Sequence, residues 1–225
     1  QLFGREIAAP VVIAPTGMNG ILAAGGDIAL ARAAASVGIP FCLSTVSTVP
    51  LEEVAKQAGG QLWMQLYVMR ERKVAEHIVK RAHAAGYQAL VFTTDANVFG
   101  YREWDRRNYL RPGRPTFRNV VDMLRHPAWF SRVIIRNGVP RFVNFSEFLP
   151  PGGDSAIGGS TLIPTLFGPT ITWNDIAWLR GLWDRKLLIK GVLSVEDAER
   201  AAQLGCDGVV LTNHGGRQLD SCVAP

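Results

Sequence analysis

The chain has 225 residues, 48% of them apolar and 19% charged, which suffices for one large core and is too apolar for a disordered segment. It has no run of eighteen apolar residues able to form a membrane-spanning helix, and Gln1-Leu2-Phe3-Gly4-Arg5 does not follow the pattern of a signal peptide. The formal charge is +5, and the three cysteines, an odd number without Cys/His metal spacing, read as reduced thiols of a cytoplasmic protein.

In chain order, residues 10–15 (PVVIAP) read as a strand, 27–37 as an Ala-rich helix stopped by Gly38, 41–44 as a strand and 51–58 as a helix stopped by Gly59-Gly60. Then come a strand at 62–68, a helix at 72–85 stopped by Gly86, and a strand at 89–94. After a long irregular stretch, 173–183 is a helix and 187–190 a strand. Residues 194–204 form a helix N-capped by Ser194 and stopped by Gly205, and 208–212 a strand. Continuous apolar strands alternating with helices imply a parallel sheet covered on both sides, as in a doubly wound sheet or a (β/α)8 barrel. No G-x-G-x-x-G follows the first strand, which argues against a dinucleotide-binding doubly wound domain. Strand after strand ends in polar residues: Thr16, Ser44, Gln65 with Tyr67, Thr93 to Asp95, Lys190, and Asn213 with His214. A barrel gathers such ends on one rim, where its active site lies. The expected fold class is therefore α/β, a (β/α)8 TIM barrel represented by about six strand-helix units in a single domain over 1–225.

Residues 98–170 interrupt this rhythm as a long insertion after the fourth strand. They hold ten arginines against five acids, the whole of the chain's positive excess. Such a segment suits anionic substrates, an anionic membrane surface or nucleic acid, or is simply solvated. Its aromatics form no organised stacking platform, so nucleic acid is not the expected partner. Within it, 117–135 carries Val120, Val121, Leu124, Trp129, Phe130 and Val133 among its arginines. That pattern reads as one or two amphipathic helices, lying in a membrane interface or packed on the barrel or a partner subunit.

The most specific string is Thr212-Asn213-His214-Gly215-Gly216-Arg217-Gln218-Leu219-Asp220, directly after an apolar strand. It resembles the active-site signature of the FMN-dependent 2-hydroxy-acid oxidases and dehydrogenases, a family that includes bacterial L-lactate and (S)-mandelate dehydrogenases. Further segments match in the same order: Ala14-Pro15-Thr16-Gly17-Met18, Leu43-Ser44-Thr45, Gln65-Leu66-Tyr67-Val68, Thr93-Thr94-Asp95, Gly100-Tyr101-Arg102-Glu103 and Ile189-Lys190-Gly191. The resemblance spans essentially the whole chain.

The resemblance implies oxidation of an (S)-2-hydroxy acid to its 2-keto acid, with FMN as cofactor and no metal. It makes Arg102 and Arg217 the guanidinium forks for the substrate carboxylate, where each can form two charge-assisted hydrogen bonds. It makes His214 the base, with Asp95 orienting the imidazole and Tyr67 bonding the substrate oxygen. Whether the proton leaves carbon or oxygen stays open. Lys190 is expected beside the N1–C2 edge of the flavin, Gln65, Thr93 and Ser44 on its pyrimidine side, and the backbone of Pro15, Thr16 and Gly17 facing N5.

Gly17 stands where the quinone-linked members carry glycine and the oxidases tend to carry alanine. Gly17-x-Asn19-Gly20 leans toward mandelate dehydrogenase, and His126-Pro127-x-Trp129 toward L-lactate dehydrogenase, so the substrate stays open between them. A quinone acceptor, peripheral attachment through 117–135 to the inner face of the cell membrane, and a homotetramer are what the resemblance implies. The family's phosphate-binding glycine and arginine stretches have no counterpart among these residues, so the exact 225-residue chain is expected to bind FMN poorly and to be aggregation-prone. The rival readings are an inactive fragment, an oxygen-using oxidase, and an FMN barrel acting on phosphorylated substrates.

Overall fold

The computed structural model describes residues 1–96, 100, 103–108, 115–167, 171–219 and 221–225. Among these residues five strands form one parallel sheet in sequential order: β1 (Phe41–Leu43), β2 (Leu62–Leu66), β3 (Ala89–Thr93), β4 (Lys186–Val192) and β5 (Gly208–Leu211). The helices are α1 (Asn19–Leu22), α2 (Gly26–Ser36), α3 (Leu51–Ala58), α4 (Arg72–Ala84), α5 (Glu103–Asn108), α6 (Phe117–Arg125), α7 (Pro127–Trp129), α8 (Ala156–Leu166), α9 (Trp173–Leu182) and α10 (Val195–Gln203).

Side chains alternate across each strand, and that alternation separates two cores. Phe41, Leu43, Met64, Leu66, Leu90, Phe92, Leu187 and Ile189 pack outward with helix residues such as Val54, Ile78 and Leu179. Cys42, Trp63, Ala89, Val91 and Leu188 form the opposite cluster, closed by Leu2 and Phe3. Gln65, Thr93 and Lys190 follow two residues after Trp63, Val91 and Leu188, so the period of two puts them on this inner face. β2 and β3 are buried along their whole length, as continuous apolar runs require.

Two expectations need correction. The strand expected at 10–15 is reduced to a single parallel bridge, Ile13 to Phe41, with Ile13 N–H on the Pro40 carbonyl and Cys42 N–H on the Ile13 carbonyl. Pro10 and Pro15, which flank it, have no N–H to extend a ladder. The insertion is also not irregular throughout. Residues 156–166 are helical, with the Ser155 hydroxyl accepting from Gly158 N–H, and a Cβ on Gly159 would overlap the Phe142 ring. There glycine serves close packing, not a break.

β3 and β4 pair directly, residue by residue from Ala89–Lys186 to Thr93–Lys190, so the insertion leaves the sheet intact. It is pinned to the outer surface instead. Asn144 Oδ1 accepts from Leu51 N–H at 3.0 Å at the start of α3, and Arg81 of α4 donates to the Asn144 carbonyl at 2.7 Å. Its end returns to the sheet rim, where Arg70 N–H bonds the Leu166 carbonyl and Met69 bridges Phe167. The amphipathic pattern at 117–135 resolves into α6, α7 and a π-helical turn over Phe130–Ile135. α6 opens with a Thr116–Asn119 capping box and buries none of its residues, with Phe117 84% exposed. No helix among the described residues is long and apolar enough to cross a membrane.

Candidate active site

The C-terminal ends of β1, β2 and β3 bring three predicted residues into one buried network. Gln65 donates to Thr93 Oγ1 at 2.9 Å, and its Oε1 accepts from the Ser44 hydroxyl at 3.3 Å and from Thr45 N–H at 3.1 Å. Thr45, which sequence reasoning passed over, donates its hydroxyl to the Gln65 carbonyl at 2.7 Å and accepts from Tyr67 N–H at 3.1 Å. Its only signal was its place beside Ser44 in the quoted Leu43-Ser44-Thr45 string. Among the described residues these bonds leave one amide proton of Gln65 and the Thr93 hydroxyl proton for a ligand, so the network keeps neutral donors at the rim.

Beside it, β3, β4 and the loop after β5 converge. Thr93 and Lys190 are register partners, and the β4–β5 register shifts between Lys190 and Val192. Asp95 Oδ1 lies 2.7 Å from His214 Nδ1, and Lys190 Nζ lies 3.4 Å from both Asp95 Oδ2 and His214 Nδ1. All three side chains are largely withdrawn from water, at 11% exposure for Asp95, 12% for Lys190 and 24% for His214. With a proton on Nδ1 facing the carboxylate, Nε2 would be the nitrogen left free to accept. His214 sits in the left-handed region at φ 60°, with its N–H on Thr212 Oγ1 at 3.0 Å. A non-glycine residue held there stores strain that the surrounding turn must oppose. Asn213 closes that turn by accepting from Gly216 N–H at 3.2 Å. On the inner face Cys42 has its thiol pushed far up by burial, with the Lys190 charge acting the other way, so it is no nucleophile.

The remaining predicted residues frame this centre. Tyr67 meets Phe167, at the end of the insertion, edge to face with ring centroids 4.9 Å apart. Pro15, Thr16 and Gly17 run past the β1 rim, where Met18 N–H bonds the Val46 carbonyl and a Cβ on Gly17 would stand 2.5 Å from Val46 Cγ2. Arg217 is exposed, and Gln218 beside it is buried and accepts from Gly100 N–H. Arg102 and Asp220 lie outside the described residues. The donor set suits a flavin ring on chemical grounds: a neutral hydrogen-bonding edge from Ser44, Gln65 and Thr93, one cation at Lys190, and backbone without a side chain at Gly17. No group of three or more His, Cys, Asp or Glu able to hold a metal occurs among the described residues.

The family model for FMN-dependent dehydrogenases matches residues 1–225. The (S)-mandelate dehydrogenase of Pseudomonas putida is 43% identical over 226 residues, covering 100% of this chain and 56% of that protein. An L-lactate dehydrogenase of Chromohalobacter salexigens is 41% identical over 98% of this chain and 56% of its own length. The chain thus spans about half the length of the curated relatives it matches. Among solved structures, the monotopic membrane protein (S)-mandelate dehydrogenase aligns with a TM-score of 0.87 at 43% identity, over 97% of this chain and 59% of that one. A mandelate oxidase variant aligns with a TM-score of 0.72 at 33% identity. The parallel sheet and its covering helices are accordingly part of a (β/α)8 barrel.

Proposed function

The chain belongs to the FMN-dependent dehydrogenase family, and on that premise we propose that its protein oxidises an (S)-2-hydroxy acid of the lactate or mandelate type to the 2-keto acid. The observation that carries this reading is the contact of His214 Nδ1 with Asp95 at 2.7 Å beside the Lys190 ammonium. FMN, when bound, accepts the two electrons that leave the substrate.

The protein's own groups then divide the work. Arg217 and Arg102 hold the substrate carboxylate, and Tyr67 bonds the oxygen on the carbon to be oxidised. His214 takes the substrate proton on Nε2. Asp95 keeps the imidazole oriented and becomes the counter-charge once that proton has arrived. Ser44, Gln65, Thr93 and Lys190 would hold the flavin, together with the backbone of Pro15 to Gly17. The neutral rim network and the Lys190 ammonium support the flavin assignments.

We assign electron exit to a membrane quinone, with α6 lying on the inner face of the cell membrane. Supporting this, Phe117, Val120, Val121 and Leu124 of α6 are all exposed, and a similar mandelate dehydrogenase is described as monotopic. A homotetramer is the expected assembly, measurable by light scattering.

The test is an anaerobic visible spectrum of the protein at its full native length with FMN, before and after (S)-mandelate or L-lactate. Loss of the flavin band near ~450 nm is expected, and the faster acid names the substrate group. Bound flavin that neither acid bleaches would overturn the assignment.

A further inference from the structure

Asp27 is wholly buried at 0% exposure, and no cation pairs with it among the described residues. A carboxylate in that position is costly unless its oxygens are hydrogen-bonded. Here Oδ1 accepts from Asn19 Nδ2 at 2.8 Å, and Oδ2 accepts from Thr48 N–H at 3.3 Å and from the Thr48 hydroxyl at 3.2 Å. Asp27 also lies in the first turn of the eleven-residue α2, where the helix dipole favours an anion.

Its partners come from two different loops. Asn19 follows the Pro15–Gly17 stretch and is tied back to it, donating to the Thr16 carbonyl at 3.1 Å and accepting from the Thr16 hydroxyl at 3.0 Å. Thr48 closes the loop after β1, which carries Ser44, Thr45 and Val46. The two loops also touch directly: Gly20 N–H donates to Thr48 Oγ1 at 3.0 Å, and Met18 N–H donates to the Val46 carbonyl at 3.0 Å. A Cβ on Gly20 would overlap the Thr48 hydroxyl, so this approach is as close as the backbone permits. One acid therefore fixes the spacing between the loop bearing Gly17 and the loop bearing Ser44.

We infer that Asp27 is a positioning residue for the flavin, clamping the 15–20 loop to the 44–48 loop through Asn19 and Thr48. The inference rests on the flavin reading of those two loops. Asp27 acts through Asn19 and Thr48, the residues by which it holds the two loops. Replacing it with Asn turns one acceptor into an N–H that must face Asn19 or Thr48 donors, which opens the clamp without changing the size of the side chain.

The test compares Asp27→Asn, Thr48→Val and Thr48→Ser in the protein at full native length. The readouts are FMN affinity by flavin fluorescence titration and the visible circular dichroism of the bound flavin. Asp27→Asn and Thr48→Val are expected to weaken FMN binding by about tenfold or more and to shift the dichroism, while Thr48→Ser, which keeps the hydroxyl, stays close to wild type. Should Asp27→Asn fail to fold, the Thr48 pair decides. Wild-type affinity and dichroism in Thr48→Val, or a lowered melting temperature with an unchanged flavin signal, would overturn the inference alone. A wild-type protein that takes up no FMN would overturn it together with the reading beneath it.

Discussion

Replacing Asp95 with Asn removes the one negative charge that contacts His214 among the described residues and keeps the shape of the side chain. In the wild type the Asp95 carboxylate faces His214 Nδ1 at 2.7 Å and Lys190 Nζ at 3.4 Å. When His214 takes the substrate proton, the cluster moves from neutral to one positive charge; with Asn it must carry two. A unit charge pair near 4 Å is worth about 4 kcal/mol at an effective dielectric of 20, which sets a ceiling on the loss. A hydrogen bond to a charged group contributes roughly 1.5–3 kcal/mol net, and that is the expected cost. The first-order rate of anaerobic flavin reduction at saturating substrate should therefore fall about ten- to a hundredfold, with the oxidised flavin spectrum retained. Stopped-flow absorbance measures it. A rate within about threefold of wild type, under ~1 kcal/mol, would show that Asp95 does not stabilise the protonated base and that His214 is not the proton acceptor.

Lys190→Met should weaken FMN binding by roughly ten- to a hundredfold, the worth of one charge-assisted bond, as equilibrium dialysis would register. The double change Phe117→Glu and Leu124→Glu should abolish sedimentation with anionic vesicles and leave the melting temperature unchanged, because both side chains are exposed, at 84% and 59%. The hydrogen bonds from Arg81 hold the Glu52 carboxyl below its ordinary value near 4.5. A carboxyl whose folded pKa is depressed stabilises the fold fully above its unfolded pKa and loses that contribution as pH falls through the folded value. Arg81→Met should therefore flatten the loss of stability on acidification below about pH 4.5, by no more than ~1 kcal/mol because the Glu52 side chain is 48% exposed and solvent-screened. Urea melts across that pH range would check it.

The barrel elements were legible because their signals are local: apolar runs of strand length, Ser194 capping α10, and glycines closing α2, α3 and α4. The short α1, the helix at α8 and the loss of the first strand were not. Each depends on a partner distant in sequence, Thr48 for Gly20, Phe142 for Gly159, and Pro40 with Cys42 for Ile13. The candidate site divides in the same way. The residues proposed to face the reaction carry side-chain chemistry that stands out in a string, so His214, Asp95, Lys190, Gln65 and Tyr67 could be named from sequence. Thr45, Gln218 and Asp27 hold those residues or their loops in place, and a Thr, Gln or Asp does that work in any protein. Asp27 in particular reads as an unremarkable first-turn acid of an Ala-rich helix. Only its full burial and its bonds to two loops separate it from the solvated acids that occupy the same position elsewhere. What the sequence conceals is thus the set of contacts that fixes the distance between the parts. A site transferred by motif alone carries its chemical groups and not the geometry, here the Asp27 bonds that tie the loop of Gly17 to the loop of Ser44.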